Sequence, residues 1–226
     1  MRYFLLFILV MIMASISAAE PVRVAVIDTG YNGDPSKLCK DGHYDFFAKT
    51  KTVGRDQQGH GTTVANAIVE YAENADFCLV IYKVFGAKGQ TGTDFVPRAI
   101  RMAKDRGAQV INMSLDGSSF FAEERQAMVE ALSKHIVIFT VAGNGVYDAA
   151  GRLLHTHDLD VTCKSYPACY KLPGVIVVGA QDDFGKIRGN RGASVINEYE
   201  PWCYRGTCGT SLSTAIATGK FLAGFQ

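Results

Sequence analysis

Three residue types that together can break an acyl bond stand in glycine-flanked settings in this chain: Asp28, His60 and Ser211. Residues 22–27 form an apolar run, broken only by Arg23, that leads into Asp28-Thr29-Gly30. A carboxylate at such a strand end can be half of a pair that shares one proton and activates water. It can instead orient a histidine that serves a serine. The first chemistry needs a second carboxylate in a comparable setting, and neither Asp158 nor Asp182-Asp183 lies in such a motif. The second needs a base and a hydroxyl. Gly59-His60-Gly61-Thr62-Thr63-Val64-Ala65 carries the base where a loop enters a helix, and Gly209-Thr210-Ser211-Leu212-Ser213-Thr214-Ala215 repeats that arrangement around a serine. Taken singly, His60 reads as a solvated loop histidine and Ser211 as a helix N-cap. Taken together they are the parts of an Asp-His-Ser triad.

These residues need rigid supports. Residues 22–27, 77–84, 108–113, 136–141 and 175–178 are apolar and β-branched, the pattern of buried strands, with a short strand at 43–47. Helical spacing of apolar residues predicts helices over 62–73 and 211–222, and a further helix at 122–134. Another runs from an Asp94 N-cap to about Gly107, with Pro97 in its first turn. Strands alternating with helices of this length predict an α/β fold with a parallel sheet. No repeat, low-complexity tract or interdomain linker interrupts it, so residues 20–226 form one domain.

The N-terminus is a separate object. Arg2, an apolar run over residues 4–13 and the small residues 15–19 have the layout of a secretory signal peptide, residues 1–19, cleaved after Ala19. The run is too short to cross about 30 Å of hydrocarbon as a helix. A mature protein that is secreted or periplasmic, with no membrane association after cleavage, is expected. The net charge of +1 gives no reason to expect nucleic acid as a partner. Six cysteines suit an oxidising compartment and allow 15 pairings. Proximity favours Cys163–Cys169 and Cys203–Cys208, which leaves Cys39 with Cys78.

The order Asp, His, Ser, and the motifs around it, resemble the subtilase family of serine proteases. Val26-Ile27-Asp28-Thr29-Gly30, residues 59–65 and residues 209–211 look like the family's three catalytic motifs. Lys83-Val84-Phe85-Gly86 with Gly89, Val110-Ile111-Asn112-Met113-Ser114-Leu115, Ala142-Gly143-Asn144, Tyr166-Pro167-Ala168 and Val177-Val178-Gly179-Ala180 match in the same order. The resemblance covers nearly all of residues 20–226. It implies a subtilisin-like fold, a mainly parallel central sheet with helices on both faces, and a secreted serine endopeptidase that works through an acyl-enzyme. It also implies an oxyanion hole of Asn144 and Ser211. A polypeptide substrate would lie as an extended strand between Gly89-Gln90-Thr91 and Ser114-Leu115-Asp116. The family usually has Gly where Asp116 stands, and Asp116 is either a bias toward basic side chains or an exposed turn residue. No cofactor and a monomer are expected.

Four departures bear on this reading. Thr214 stands where the family has Pro, a residue suited to a first helical turn. The alternative of a subtilase-like domain that binds a peptide or partner without cutting it rests mainly there. No pro-segment fits between Ala19 and Val22, so unaided folding or help from another chain is expected. The connection from His60 to Lys83 is short and omits the loop that holds calcium in many members. Residues 145–164 read as an insertion whose His155, His157, Asp158 and Asp160 could ligate a metal, but a solvated loop is the better account and no metal is expected.

Overall fold

The structure, a computed structural model, describes residues 20–148 and 152–224. The expected signal peptide, residues 1–19, lies outside the described residues. At the centre is β1 (Val22–Asp28), flanked in parallel by β3 (Phe77–Lys83) and β4 (Val110–Met113). Beyond β3 lies β2 (Tyr44–Asp45). Beyond β4 come β5 (Val137–Val141), β8 (Val175–Gln181) and β10 (Glu198–Pro201), also in parallel register. The sheet order is thus β10-β8-β5-β4-β1-β3-β2, and a short β9 (Ile187–Arg188) pairs antiparallel with β8. This is the mainly parallel α/β sheet expected from the sequence.

Helices cover both faces, which is why the central strands are apolar throughout and do not alternate. Val24 and Val26 of β1 pack with Val64 and Ile68 of α1 (His60–Tyr71) and with Leu212 and Ile216 of α4 (Thr210–Ala223). Ala25 and Ile27 point the other way, toward Ile100 and Ala103 of α2 (Phe95–Asp105) and Met128 of α3 (Ala122–Leu132). The pleat of one strand therefore feeds two cores.

The cysteines pair as Cys39–Cys78, Cys163–Cys169 and Cys203–Cys208. The first links residues 39 apart in sequence, and closing a loop of that length contributes about 4 kcal/mol in the chain-entropy account; the two short loops contribute about 2 each. Cys203–Cys208 clasps a hairpin of β11 (Cys203–Tyr204) and β12 (Thr207–Cys208) just before α4. The 145–164 segment contains another hairpin, β6 (Val146–Tyr147) with β7 (Leu153–His155). The His155 and His157 rings meet edge to face there, and among the described residues no group of three or more potential ligands could hold a metal ion.

Two local expectations change. Asp94 occupies the N-cap position of α2 but makes no capping hydrogen bond, and its carboxylate pairs with Arg98 one turn on. Thr214 is the fifth residue of α4, beyond the first turn, so an argument from an unused N–H does not apply to it. Its hydroxyl donates to the Thr210 carbonyl at 2.8 Å, which satisfies a buried polar group inside the helix.

Candidate active site

Parallel strands leave a crevice at their carboxyl ends where the connections diverge to opposite sides of one strand. In this sheet that strand is β1, whose neighbours are β3 on one side and β4 on the other. Its last residue is Asp28, 1% exposed. The buried Lys83 ammonium, at the end of β3, donates to the carbonyls of Thr29 and Phe85 and ties the two strand ends together.

His60 is the first residue of α1, and Gly59 before it has no side chain with which to cap the helix. The first-turn N–H groups need acceptors, and two other segments supply them. Thr29 Oγ1, one residue after Asp28, accepts from the N–H of Gly61 at 2.8 Å. Asp56 accepts from Thr62 N and Thr62 Oγ1, at 2.8 and 2.6 Å, and from Gln58 N, Gly59 N and Thr29 Oγ1. Burial would raise the Asp56 pKa, but these donors hold the carboxyl below its usual range. Gly61 lets the helix start come this close, since a Cβ there would strike the Gly30 carbonyl.

The result is a short hydrogen bond, 2.7 Å, between His60 Nδ1 and Asp28 Oδ1, which also accepts from Thr29 N. With Nδ1 donating to the carboxylate, Nε2 carries the free lone pair. Burial of the ring would lower its pKa, but the hydrogen bond and charge of Asp28, with the charge of Asp56 adding, raise it above the ordinary value.

Ser211 is the second residue of α4, again behind a glycine, Gly209. Asn144 Oδ1 accepts from Thr210 N and Thr210 Oγ1, at 2.7 and 2.8 Å. Because the Thr210 backbone N–H can only donate, it fixes which end of the amide is oxygen, and the hydroxyl donates to the same atom. The Asn144 NH2 and the Ser211 N–H are left without partners among the described residues, two donors at one helix start. Ser211 Oγ donates to the Ser114 carbonyl at 3.1 Å, and among the described residues no hydrogen bond joins it to His60. Ser114 Oγ in turn donates to the Ser211 carbonyl and accepts from Asn112, while Thr218 donates to Asn112. This buried chain fastens α4 to the end of β4.

Asp28, Thr29, Gln58, His60, Phe85, Gly89, Ser114, Leu115 and Asp116 line a cleft of about 260 Å³. Gln90 and Thr91 do not line it. They hold the Gly86–Gln90 turn, where Gly86 N donates to the Gln90 carbonyl and Thr91 Oγ1 to the Val84 carbonyl. The roles of Thr29, Asp56 and Thr210 were not anticipated from the sequence. The one available sign was a side chain able to accept from a glycine-led helix start.

A family model described as the subtilase family matches residues 20–223. Among curated proteins, an alkaline protease of Alkalihalobacillus alcalophilus is 28% identical over 88% of this chain and 52% of its own length. Subtilisin DY of Bacillus licheniformis is 27% identical over 88% of this chain and 74% of its own. The chain thus spans about half the length of the first and three quarters of the second. Among solved structures, a cold-adapted subtilisin-like serine proteinase superposes with a TM-score of 0.69 at 24% identity, covering 88% of this chain and 73% of that one. A lanthipeptide protease gives 0.70 at 23% identity, covering 89% and 72%. At these identities the solved structures speak to fold alone.

Proposed function

Since the chain belongs to the subtilase family, we propose that it is a serine endopeptidase in which Asp28, His60 and Ser211 hydrolyse peptide bonds. The observation that carries this reading is the 2.7 Å bond from His60 to Asp28, set opposite a helix start that bears Ser211 and two open donors. On binding substrate, the Ser211 hydroxyl leaves the Ser114 carbonyl and turns toward His60. His60 Nε2 takes its proton as Oγ attacks the scissile carbonyl, and Asp28 stabilises the imidazolium that forms. The oxyanion falls between Asn144 Nδ2 and the Ser211 N–H. His60 then protonates the leaving amine, and water resolves the acyl-enzyme by the same steps in reverse.

The substrate backbone lies along Ser114-Leu115-Asp116, with Gly89 across the cleft. Export to an oxidising compartment is part of the proposal. It is supported by the signal-like residues 1–19 and by three disulfides that leave no free cysteine among the described residues. No helix among the described residues is long and apolar enough to cross a membrane.

A second reading, a domain that binds peptides without cutting them, is favoured by one observation: Ser211 Oγ is bonded to Ser114 and not to His60. Such bonds are often loose before substrate binds and tighten in the substrate complex. The two readings separate in a casein digest by the mature protein. Hydrolysis that disappears in Ser211→Ala supports the protease, while intact casein beside folded protein supports the binder.

A further inference from the structure

The residue whose carbonyl enters the oxyanion hole must place its side chain beside Asn144. On that side the chain has an unusual lining. Asp116, at the end of the Ser114-Leu115-Asp116 wall, reaches across to the facing wall of Ala142-Gly143-Asn144. Gly143, at φ +95°, leaves the space open: a Cβ there would lie 2.8 Å from Asp116 Oδ2 and 2.7 Å from both Ser165 Oγ and Asn190 Nδ2. Gly143 directly precedes Asn144, so the carboxylate meets the facing wall one residue before the proposed oxyanion donor.

The frame around it is fixed. Gly117 and Tyr166 exchange two backbone hydrogen bonds of 2.8 Å, which pin the end of the first wall to the segment that carries Ser165. Asn190 holds the second wall, donating from Nδ2 to the Ala142 carbonyl and from its backbone N–H to the Gly143 carbonyl. It also accepts from His157 N. Asp116 itself is poorly provided for. Among the described residues its one hydrogen-bond partner is the Ser165 hydroxyl, which donates to Oδ2 at 3.1 Å. Among the described residues it joins no ion pair, although eleven ion pairs are formed elsewhere. Desolvation raises its pKa, only partly offset by the Ser165 bond. Asp116 is exposed as a residue, as one of the two sequence readings had it, but its carboxyl end is partly buried at the Ser165 contact, and an incoming cation offsets that partial desolvation.

We propose that Asp116 makes the protein select peptides with Arg or Lys at the residue whose carbonyl Ser211 attacks, the charged tip pairing with Asp116 beside Ser165. This rests on the protease reading and names its substrate class. A planar guanidinium suits the site best, since it can donate to the carboxylate through two N–H groups at once.

The test is a set of fluorogenic peptides identical except at that residue, which is Arg, Lys, citrulline or Leu. Citrulline keeps the shape of Arg and removes its charge. The expected kcat/KM for Arg exceeds that for citrulline by about tenfold or more, the discount reflecting the partial exposure of the pair. Asp116→Asn, with folding checked by circular dichroism, should bring the two substrates together. Equal turnover of Arg and citrulline by the unaltered protein overturns the proposal without any variant, as does an Asp116→Asn ratio that does not change. Failure of the protease reading looks different: no peptide is turned over, Ser211 takes no fluorophosphonate label, and the specificity falls with it.

Discussion

Two helices in this molecule begin behind a glycine and carry a residue of the proposed triad in their first turn, yet their N–H groups are partnered in opposite ways. At the start of α1, Thr29 and Asp56 satisfy Gly61 and Thr62, and His60 is bonded to Asp28 before any substrate arrives. At the start of α4, Asn144 takes only Thr210, and the Ser211 N–H stays open. The first arrangement spends its donors on positioning a base. In the proposed mechanism the second keeps a donor for charge that develops only during reaction, where a preorganised dipole has its greatest effect. A helix N-terminus is thus a scaffold in one place and a reagent in the other, and the acceptors nearby decide which.

Substitutions on the two sides should separate in kind as well as size. The largest effect short of removing Ser211 is expected from Asp28→Asn, which keeps the shape but presents the wrong partner to His60 Nδ1. Turnover should fall about 10⁴-fold by analogy with the serine-protease triad, while the thermal melt stays close to that of the parent. Asn144→Ala removes one proposed oxyanion donor and should lower kcat by about 10²–10³ with little change in KM, read from steady-state kinetics. It also frees Thr210 N, so a larger loss accompanied by destabilisation would show that positioning matters on the α4 side too.

Asp56→Ala should act mainly on stability. Five donors lose a buried acceptor, and a loss of about 2–4 kcal/mol in urea unfolding is expected, well above that of a surface change. Because its folded-state pKa is depressed, Asp56 contributes stability that is present above the unfolded carboxylate value of 3.8 and is lost as pH falls through the folded value. In the variant that part of the acid sensitivity should vanish.

The smallest effect is on pH. His60 must be neutral to accept a proton, and its pKa is raised, so the acid limb of kcat/KM should have its midpoint above the ordinary 6.5. Below that midpoint activity should fall tenfold per pH unit. A midpoint below 6.5 would mean that burial outweighs Asp28.

How much of this was legible in the sequence depended on range. The apolar run into Asp28 and the glycine-led starts at His60 and Ser211 announce themselves locally, because strand ends and helix starts have short signatures. The parallel sheet followed from the alternation of strands and helices, and the Cys203–Cys208 pairing from proximity. Asp56 was hidden in the polar stretch Arg55-Asp56-Gln57-Gln58, where nothing distinguishes an acceptor of five bonds from a solvated loop carboxylate. Ser165 meets Asp116 across 49 residues, and Thr210 meets Asn144 across 66. No periodicity encodes such meetings, which exist only once β4, β5 and α4 have been brought together. Asp94 shows the converse. A good capping residue in the right place made an ion pair with Arg98, because an exposed side chain has more than one partner to choose from.

The most direct test of the central claim is the labelling of Ser211 by a fluorophosphonate, followed by intact mass and peptide mapping of the mature protein. A single adduct on Ser211, forming orders of magnitude more slowly in Asp28→Asn and absent in Ser211→Ala, is the result expected if the preset base at α1 activates the serine at α4. Folded protein that takes no label at Ser211, or takes it as quickly without the Asp28 carboxylate, would contradict it.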